Sequence, residues 1–258
     1  MAAKDRTFAA LFSDPKAKIA SHDELLTAMA EDGVDMSVAL GFGWTDPGIA
    51  RESNDYLLEA AGVSNGRIIA FCSVDPSWGD AALSEVERCV AAGARGIGEL
   101  HPSTQGTKLA TDRGLTRIMA FAAKEGLPVV VHGSEPVGHD YPGKGHTYPN
   151  DLLAMATRFP DVKIVAAHWG GGLPFYAHMP EVRKALANVY FDSAATRFLY
   201  DQGVFSTVAG AVGPDHMLFG SDFPLLSAKR VAEMAITDLK PAYAAMFLGE
   251  NARGLLTE

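Results

Sequence analysis

Apolar residues recur along the chain in short continuous runs, separated by longer stretches with helical spacing. The runs fall at residues 34–42, 68–74, 94–100, 127–132, 162–168, 189–192 and 217–221. They do not alternate with polar residues, as expected of strands covered on both faces. Ser21 and Glu24 have the spacing of a capping box and predict a helix running through Met29. Leu83, Val86 and Val90 share one helical face, as do Leu115, Ile118, Met119 and Ala122. Gly93 and Gly126 stand where those two helices should stop.

Such strand–helix alternation predicts a parallel α/β sheet, either a closed barrel or an open doubly wound sheet. No glycine fingerprint for a dinucleotide and no phosphate-binding loop follows any run, which weakens the open nucleotide-binding versions. The polar residues favour the barrel. Glu99, His132, His168, Asp192 and Asp222 each sit at or just past the end of a different run. In a (β/α) barrel those ends converge on one mouth, where catalysis occurs. The expected fold is a (β/α)8 TIM-type barrel, one domain over residues 1–258, lacking its first strand in this chain. Seven runs are visible where a standard barrel closes with eight. Residues 7–12 read as a short strand or, from their Ala and Leu content, as a helix. The runs at 34–42 and 217–221 are then expected to flank a gap with unpaired backbone. The apolar stretch 8–12 or a second subunit is the expected cover, so a homo-oligomer is one expected assembly.

Composition narrows the class. With 258 residues, 48% of them hydrophobic and 21% charged, the chain can bury a large single core. Its net charge of −9 argues against a nucleic-acid footprint. A small anionic substrate held by a few basic groups stays open. Cys72 and Cys89 are too few for a disulfide framework and read as buried free thiols, which fits a reducing cytoplasm. No signal peptide and no membrane-length apolar run is visible.

The chemistry lies in the strand-end residues. His132 closes Val-Val-Val-His and reads either as a hydrogen-bonded histidine near the core or as a ligand. His168 closes Ile-Val-Ala-Ala-His and precedes Trp169 and three glycines, which permit close backbone approach to a ligand or simply form a tight turn. Asp222, in Phe-Gly-Ser-Asp-Phe-Pro, is either a functional carboxylate or the cap of the next helix. Two imidazoles and a carboxylate at one mouth can hold a divalent ion and polarise a water. Glu99, in Gly-Ile-Gly-Glu-Leu-His-Pro, is a further candidate ligand, or a residue that orients one; His101 is weaker.

These strand-end motifs together resemble the amidohydrolase-related branch of the amidohydrolase superfamily, near the aminocarboxymuconate-semialdehyde decarboxylase group. The carriers are Gly98-Glu99-Leu100-His101-Pro102, Val131-His132, Ala167-His168-Trp169-Gly170-Gly171, Gly220-Ser221-Asp222-Phe223-Pro224 and Leu248-Gly249-Glu250-Asn251-Ala252-Arg253. They span nearly the whole chain. The resemblance implies His132 as a metal ligand, His168 as a ligand or acid/base, and Asp222 as a ligand that can take a proton from bound water. It also implies a His-x-His motif on the first strand, and none occurs here; His22 lies in the capping-box helix instead. The coherence of the remaining set favours a segment lost upstream over a genuine absence. Metal occupancy is accordingly expected to be weak or partial, with zinc the first choice of ion.

The long loop after His132 is the expected specificity region, with His139, Lys144 and His146 facing an anionic group or merely solvated. Trp169 is read either as an aromatic wall for a planar substrate or as packing, and Arg51 and Arg197 either as carboxylate binders or as surface ion pairs. The leading expectation is a metal-dependent hydrolase acting on an ester, lactone or amide carbonyl. The alternatives are a metal-dependent, non-oxidative decarboxylase of an aromatic or muconate-like acid, and a catalytically silent barrel that binds a ligand or partner.

Overall fold

The structure is a computed structural model that describes residues 4–14 and 16–257. The remaining positions of the 1–258 span lie outside the described residues. All seven apolar runs contain a strand: β1 (Ser37–Ala39), β2 (Ile68–Ala70), β3 (Ile97–Leu100), β4 (Val129–Val131), β5 (Ile164–Ala166), β6 (Val189–Asp192) and β7 (Met217–Leu218). Every ladder is parallel. β1 pairs with β2, and β3 to β7 pair in sequence order. The two groups are joined where Arg95 N–H donates to the Ala70 carbonyl at 2.9 Å and Cys72 N–H to that of Gly96 at 3.0 Å. Among the described residues no ladder joins β7 back to β1.

The ladders are shorter than the apolar runs: β2 and β7 fall short at their C-terminal, mouth-side ends, whereas β3 falls short at its start. The run after β1 still bonds irregularly: Glu99 N–H donates to the Gly41 carbonyl at 3.0 Å, past β2. Within the strands, side chains alternate between two apolar compartments. Val129, Val131, Ile164, Ala166 and Met217 pack outward against the helices, while Val130, Val165 and Leu218 join Phe71 in the interior. That double coverage is why the runs are continuously apolar. Leu255, from the helix Asn251–Thr257, packs into the interior group. The carbonyls of Leu255 and Leu256 are held by Lys163 Nζ and Arg95, which stand just before β5 and β3, so this helix plugs the end opposite the mouth.

Helices between the strands cover the outer faces. Pro47–Val63, Asp80–Ala91, Arg113–Glu125 and Pro149–Arg158 each bury one stripe. The helix His22–Asp32 opens with the capping box of Ser21 and Glu24 and stops at Gly33, which is left-handed at φ 73°. The N-terminal stretch is helical over Arg6–Leu11, not a strand. Phe8 stacks on Phe12 with centroids 4.4 Å apart, and both rings pack on Phe42, with Phe8 also against Trp44. The expected cover therefore lies over the mouth-side loop after β1. No described helix is long and apolar enough to cross a membrane. Cys72 and Cys89 are both buried and free.

Candidate active site

The parity of the strands aims the first ligand. Val130 points inward, so His132, two residues on, points inward too. On β3 the register slips between Ile97 and Leu100, both of which face outward, and that irregularity turns Glu99 toward the mouth. Gly98 makes this possible: its φ is +136°, and a Cβ there would lie 2.7 Å from the Val130 carbonyl oxygen. His168 ends β5 in a left-handed turn at φ 56° and projects into the same space.

Glu99, His132 and His168 offer three ligand atoms, all within 4.8 Å of one another. Glu99 Oε1 lies 3.1 Å from His132 Nδ1 and 3.8 Å from His168 Nε2. Both imidazoles are nearly buried. The outer nitrogen of each is committed. His132 Nε2 faces the Lys144 carbonyl at 3.1 Å, and His168 Nδ1 faces the Ala194 carbonyl at 3.2 Å. A carbonyl only accepts, so those two nitrogens carry the protons. The inner nitrogens face the Glu99 carboxylate, which also only accepts, so each inner position calls for a proton or a shared cation. Imidazoles with the far N–H tied to a carbonyl, meeting a carboxylate, form a donor set suited to a divalent first-row metal.

The electrostatics agree with this convergence. Burial alone would raise the Glu99 pKa, but His132, then His168 and His101, hold it at about 2. Burial would lower that of His168, but the carboxylates of Asp222, Glu99 and Asp192 lift it to about 8. His101 stacks on His132 with centroids 4.3 Å apart. Burial, then the neighbouring His132, pushes its pKa down to about 4. Its ring nitrogens meet the Gly143 carbonyl at 2.8 Å and the Thr104 hydroxyl at 3.1 Å, so it acts as a wall. Asp192 Oδ1 accepts from the backbone N–H of His168 at 3.1 Å and of Ala194 at 2.9 Å, fixing the turn that carries His168.

Asp222 stands beside the trio. It is left-handed at φ 59° on the rim after β7, open to solvent yet surrounded by the protein of the concave mouth. That surrounding protein raises its pKa, Glu99 adds to the rise, and His168 and His132 oppose it. The tight cluster thus groups Glu99 with the two histidines and leaves Asp222 as a neighbouring carboxyl.

The sequence-selected binding residues are dispersed. Trp169 is fully buried, donates from Nε1 to Thr196 Oγ1 at 2.9 Å and packs on Phe205 and Phe247, so it belongs to the core. Arg51 lies on the outer helix Pro47–Val63 with its guanidinium 3.5 Å from Glu85. Lys144 turns its ammonium back onto the carbonyls of Val137 and His139, at 3.2 and 2.9 Å, and so staples its own loop. Arg197 is exposed on the short helix Thr196–Leu199. His139 is exposed beside Tyr141 and lines a cavity of about 260 Å³.

Three residues of that cavity were not singled out in the sequence. The buried Glu135 accepts from the Tyr141 hydroxyl at 2.9 Å and the Tyr200 hydroxyl at 3.2 Å. Burial, then Glu135, pushes both phenols well above their usual range. Glu135 and Tyr141 stood in the predicted specificity loop. Tyr200 is remote in sequence and carries no local signal.

A family model described as Amidohydrolase matches residues 25–257. Among curated proteins, a 6-methylsalicylic acid decarboxylase of Penicillium expansum is 27% identical over 205 residues, 67% of this chain and 62% of that protein. The chain thus spans less than two thirds of that relative's length. Among solved structures, 5-carboxyvanillate decarboxylase from Sphingomonas paucimobilis superposes with a TM-score of 0.73 at 18% identity, covering 90% of this chain and 82% of that one. A dihydroxybenzoic acid decarboxylase from a Polaromonas species, solved with bound manganese and the inhibitor 2-nitroresorcinol, gives 0.70 at 17% identity, covering 92% and 86%. At these identities the superpositions establish a shared fold.

Proposed function

The chain belongs to the amidohydrolase family, and on that premise we propose that it is a metal-dependent, non-oxidative decarboxylase of a small aromatic carboxylic acid. The observation that carries this reading is the convergence of Glu99, His132 and His168, each histidine with its outer N–H tied to a backbone carbonyl. The named relatives favour decarboxylation over the hydrolysis that led the sequence reading, since they are decarboxylases of aromatic acids. Their names also weaken the preference for zinc, because the Polaromonas structure holds manganese.

Glu99, His132 and His168 would hold the divalent ion, which when bound supplies positive charge to anchor and polarise an anionic substrate. The chain's own residues do the rest. The Lys144 and Ala194 carbonyls fix the ring orientations, and Asp192 fixes the backbone of His168. Asp222, the carboxyl beside the trio after β7, delivers a proton to the ring carbon that bears the substrate carboxylate. The bond from that carbon to the carboxylate then breaks. Its electron pair restores the aromatic ring, carbon dioxide leaves, and Asp222 regains a proton from solvent. His101 stacks on His132 and so borders the cluster on one side.

The test is to strip the protein of metal, reload it with manganese or zinc, and incubate it with 2-hydroxybenzoic acids. Carbon dioxide and the matching phenol are expected in equal amounts, and Asp222→Asn should abolish both. Turnover of esters, lactones or amides with no carbon dioxide from any such acid would replace this reading with hydrolysis.

A further inference from the structure

The cavity behind the His132 loop is set apart from the metal-binding cluster. None of its lining residues belongs to that cluster, and the fully buried Ser134 stands between His132 and Glu135 along the chain. Four aromatic residues line it, Tyr141, Phe175, Tyr176 and Tyr200, together with the buried Glu135. The rings of Phe175 and Tyr200 meet at 64° with centroids 6.1 Å apart, and so form two sides of a corner. Gly172 keeps that corner open. Its φ is +94°, and an added Cβ would lie 3.4 Å from Phe175 and 3.6 Å from the Tyr200 hydroxyl. A cavity of about 150 Å³ accepts benzene, so the 260 Å³ here holds a ring with a short substituent.

The lining suits a cation. Among the described residues no Lys or Arg lines the space, and Glu135 makes no ion pair. Its oxygens accept from the Tyr141 and Tyr200 hydroxyls, one on each. These bonds hold the carboxylate in place without exhausting it, since a carboxylate has roughly four lone-pair sites. Aromatic faces attract cations through the ring quadrupole. Tyr141 already does so, with Lys144 Nζ 5.7 Å from its centroid. That ammonium is bonded by the carbonyls of Val137 and His139 and lies 4.0 Å from Asp140, so its charge is met outside the cavity. An anion entering the cavity would meet the like charge of Glu135 in a partly desolvated space. A neutral ring would leave that carboxylate without a counter-charge.

We propose that this cavity is a second binding site, for a small organic ammonium ion. The ammonium N–H groups donate to Glu135, and the carbon stem lies among the rings of Tyr141, Phe175, Tyr176 and Tyr200. The site is separate from the metal cluster, so the decarboxylase reading stands or falls independently of it.

Two probes of one shape differ in charge: benzylammonium and benzyl alcohol. Their binding to manganese-loaded protein at neutral pH is measured by isothermal titration calorimetry. Wild type is expected to bind benzylammonium at least about tenfold more tightly, equivalent to about 1.4 kcal/mol. Glu135→Gln is expected to bring the two affinities together. Phe175→Leu keeps an apolar wall but removes a ring, and is expected to weaken benzylammonium about threefold. Glu99→Gln is expected to keep the preference, because the cluster takes no part in it. Equal binding of the two probes by wild type overturns the proposal, and so does a preference that survives in folded Glu135→Gln. Benzylammonium affinity unchanged in folded Phe175→Leu, or a preference lost in folded Glu99→Gln, overturns it too.

Discussion

Gly171→Ala perturbs the contact on which both the metal cluster and the adjoining cavity depend. Gly171 is left-handed at φ 61°, and an added Cβ would lie 2.1 Å from the Ser134 carbonyl oxygen and 2.5 Å from its carbon. Holding an L-residue in that conformation costs about 1–2 kcal/mol. Pushing back a packed backbone carbonyl costs a further ~1–3 kcal/mol. The expected loss is therefore about 2–5 kcal/mol, a large share of the ~5–15 kcal/mol that holds a typical protein folded. Gly62 is the control. It lies in the helix Pro47–Val63, and a Cβ added there would meet nothing within 4 Å, so Gly62→Ala removes backbone entropy from the unfolded chain without a clash. That change should stabilise by about 0.5–1 kcal/mol. Urea titration followed by circular dichroism gives both values by linear extrapolation. Because Ser134 Oγ also bonds the Lys144 carbonyl that orients His132, folded Gly171→Ala should bind metal more weakly than wild type. A Gly171→Ala protein as stable as wild type would refute the close approach of the glycine run to the His132 loop.

Further expectations concern groups away from the cluster. Glu85 accepts from Arg88 and Asn54, and these interactions outweigh burial to hold its pKa at about 2 against 4.5 in the reference state. Because the folded pKa is the lower one, its contribution is complete above about pH 4.5 and is lost as the pH falls toward 2. Allowing for the solvent contact of Arg88, that amounts to about 2 kcal/mol, and Glu85→Gln should flatten the urea midpoint across that range. Trp169→Phe, which removes the bond to Thr196, should cost about 1 kcal/mol of stability and leave the KM for an aromatic acid unchanged; a large rise in KM would return Trp169 to the substrate. Ser21→Ala removes one half of the capping box and should cost about 1 kcal/mol, seen as a lower thermal midpoint, with metal binding unaltered.

The architecture was legible because strand burial on both faces writes itself into sequence as continuous apolar runs. Each run from 34–42 to 217–221 contains its strand, and Ser21, Glu24 and Gly126 cap helices as read. Strand-end position also brought Glu99, His132 and His168 to one place. Their relative standing was not legible: Glu99 joins the two histidines through a register slip at Gly98, and such an irregularity has no periodic signature. For Trp169, Arg51 and Lys144 the sequence left substrate contact open beside packing, a surface ion pair or a solvated loop, because side-chain type alone does not choose between them. Type does not reveal that an indole faces Phe205, that a guanidinium lies beside Glu85, or that an ammonium folds back on its own loop. Tyr200 meets Glu135 only through tertiary folding.

The central claim is that Glu99, His132 and His168 hold one divalent cation at the barrel mouth. Calorimetric titration of manganese into metal-stripped protein tests it most directly, with wild type, Glu99→Gln and His132→Ala compared after each is shown to be folded. One site per chain is expected in wild type, with affinity falling at least about tenfold in each variant, as loss of a ligand removes more than about 1.4 kcal/mol. Absence of a site in wild type, or a Glu99→Gln protein that binds manganese as tightly as wild type, would contradict it.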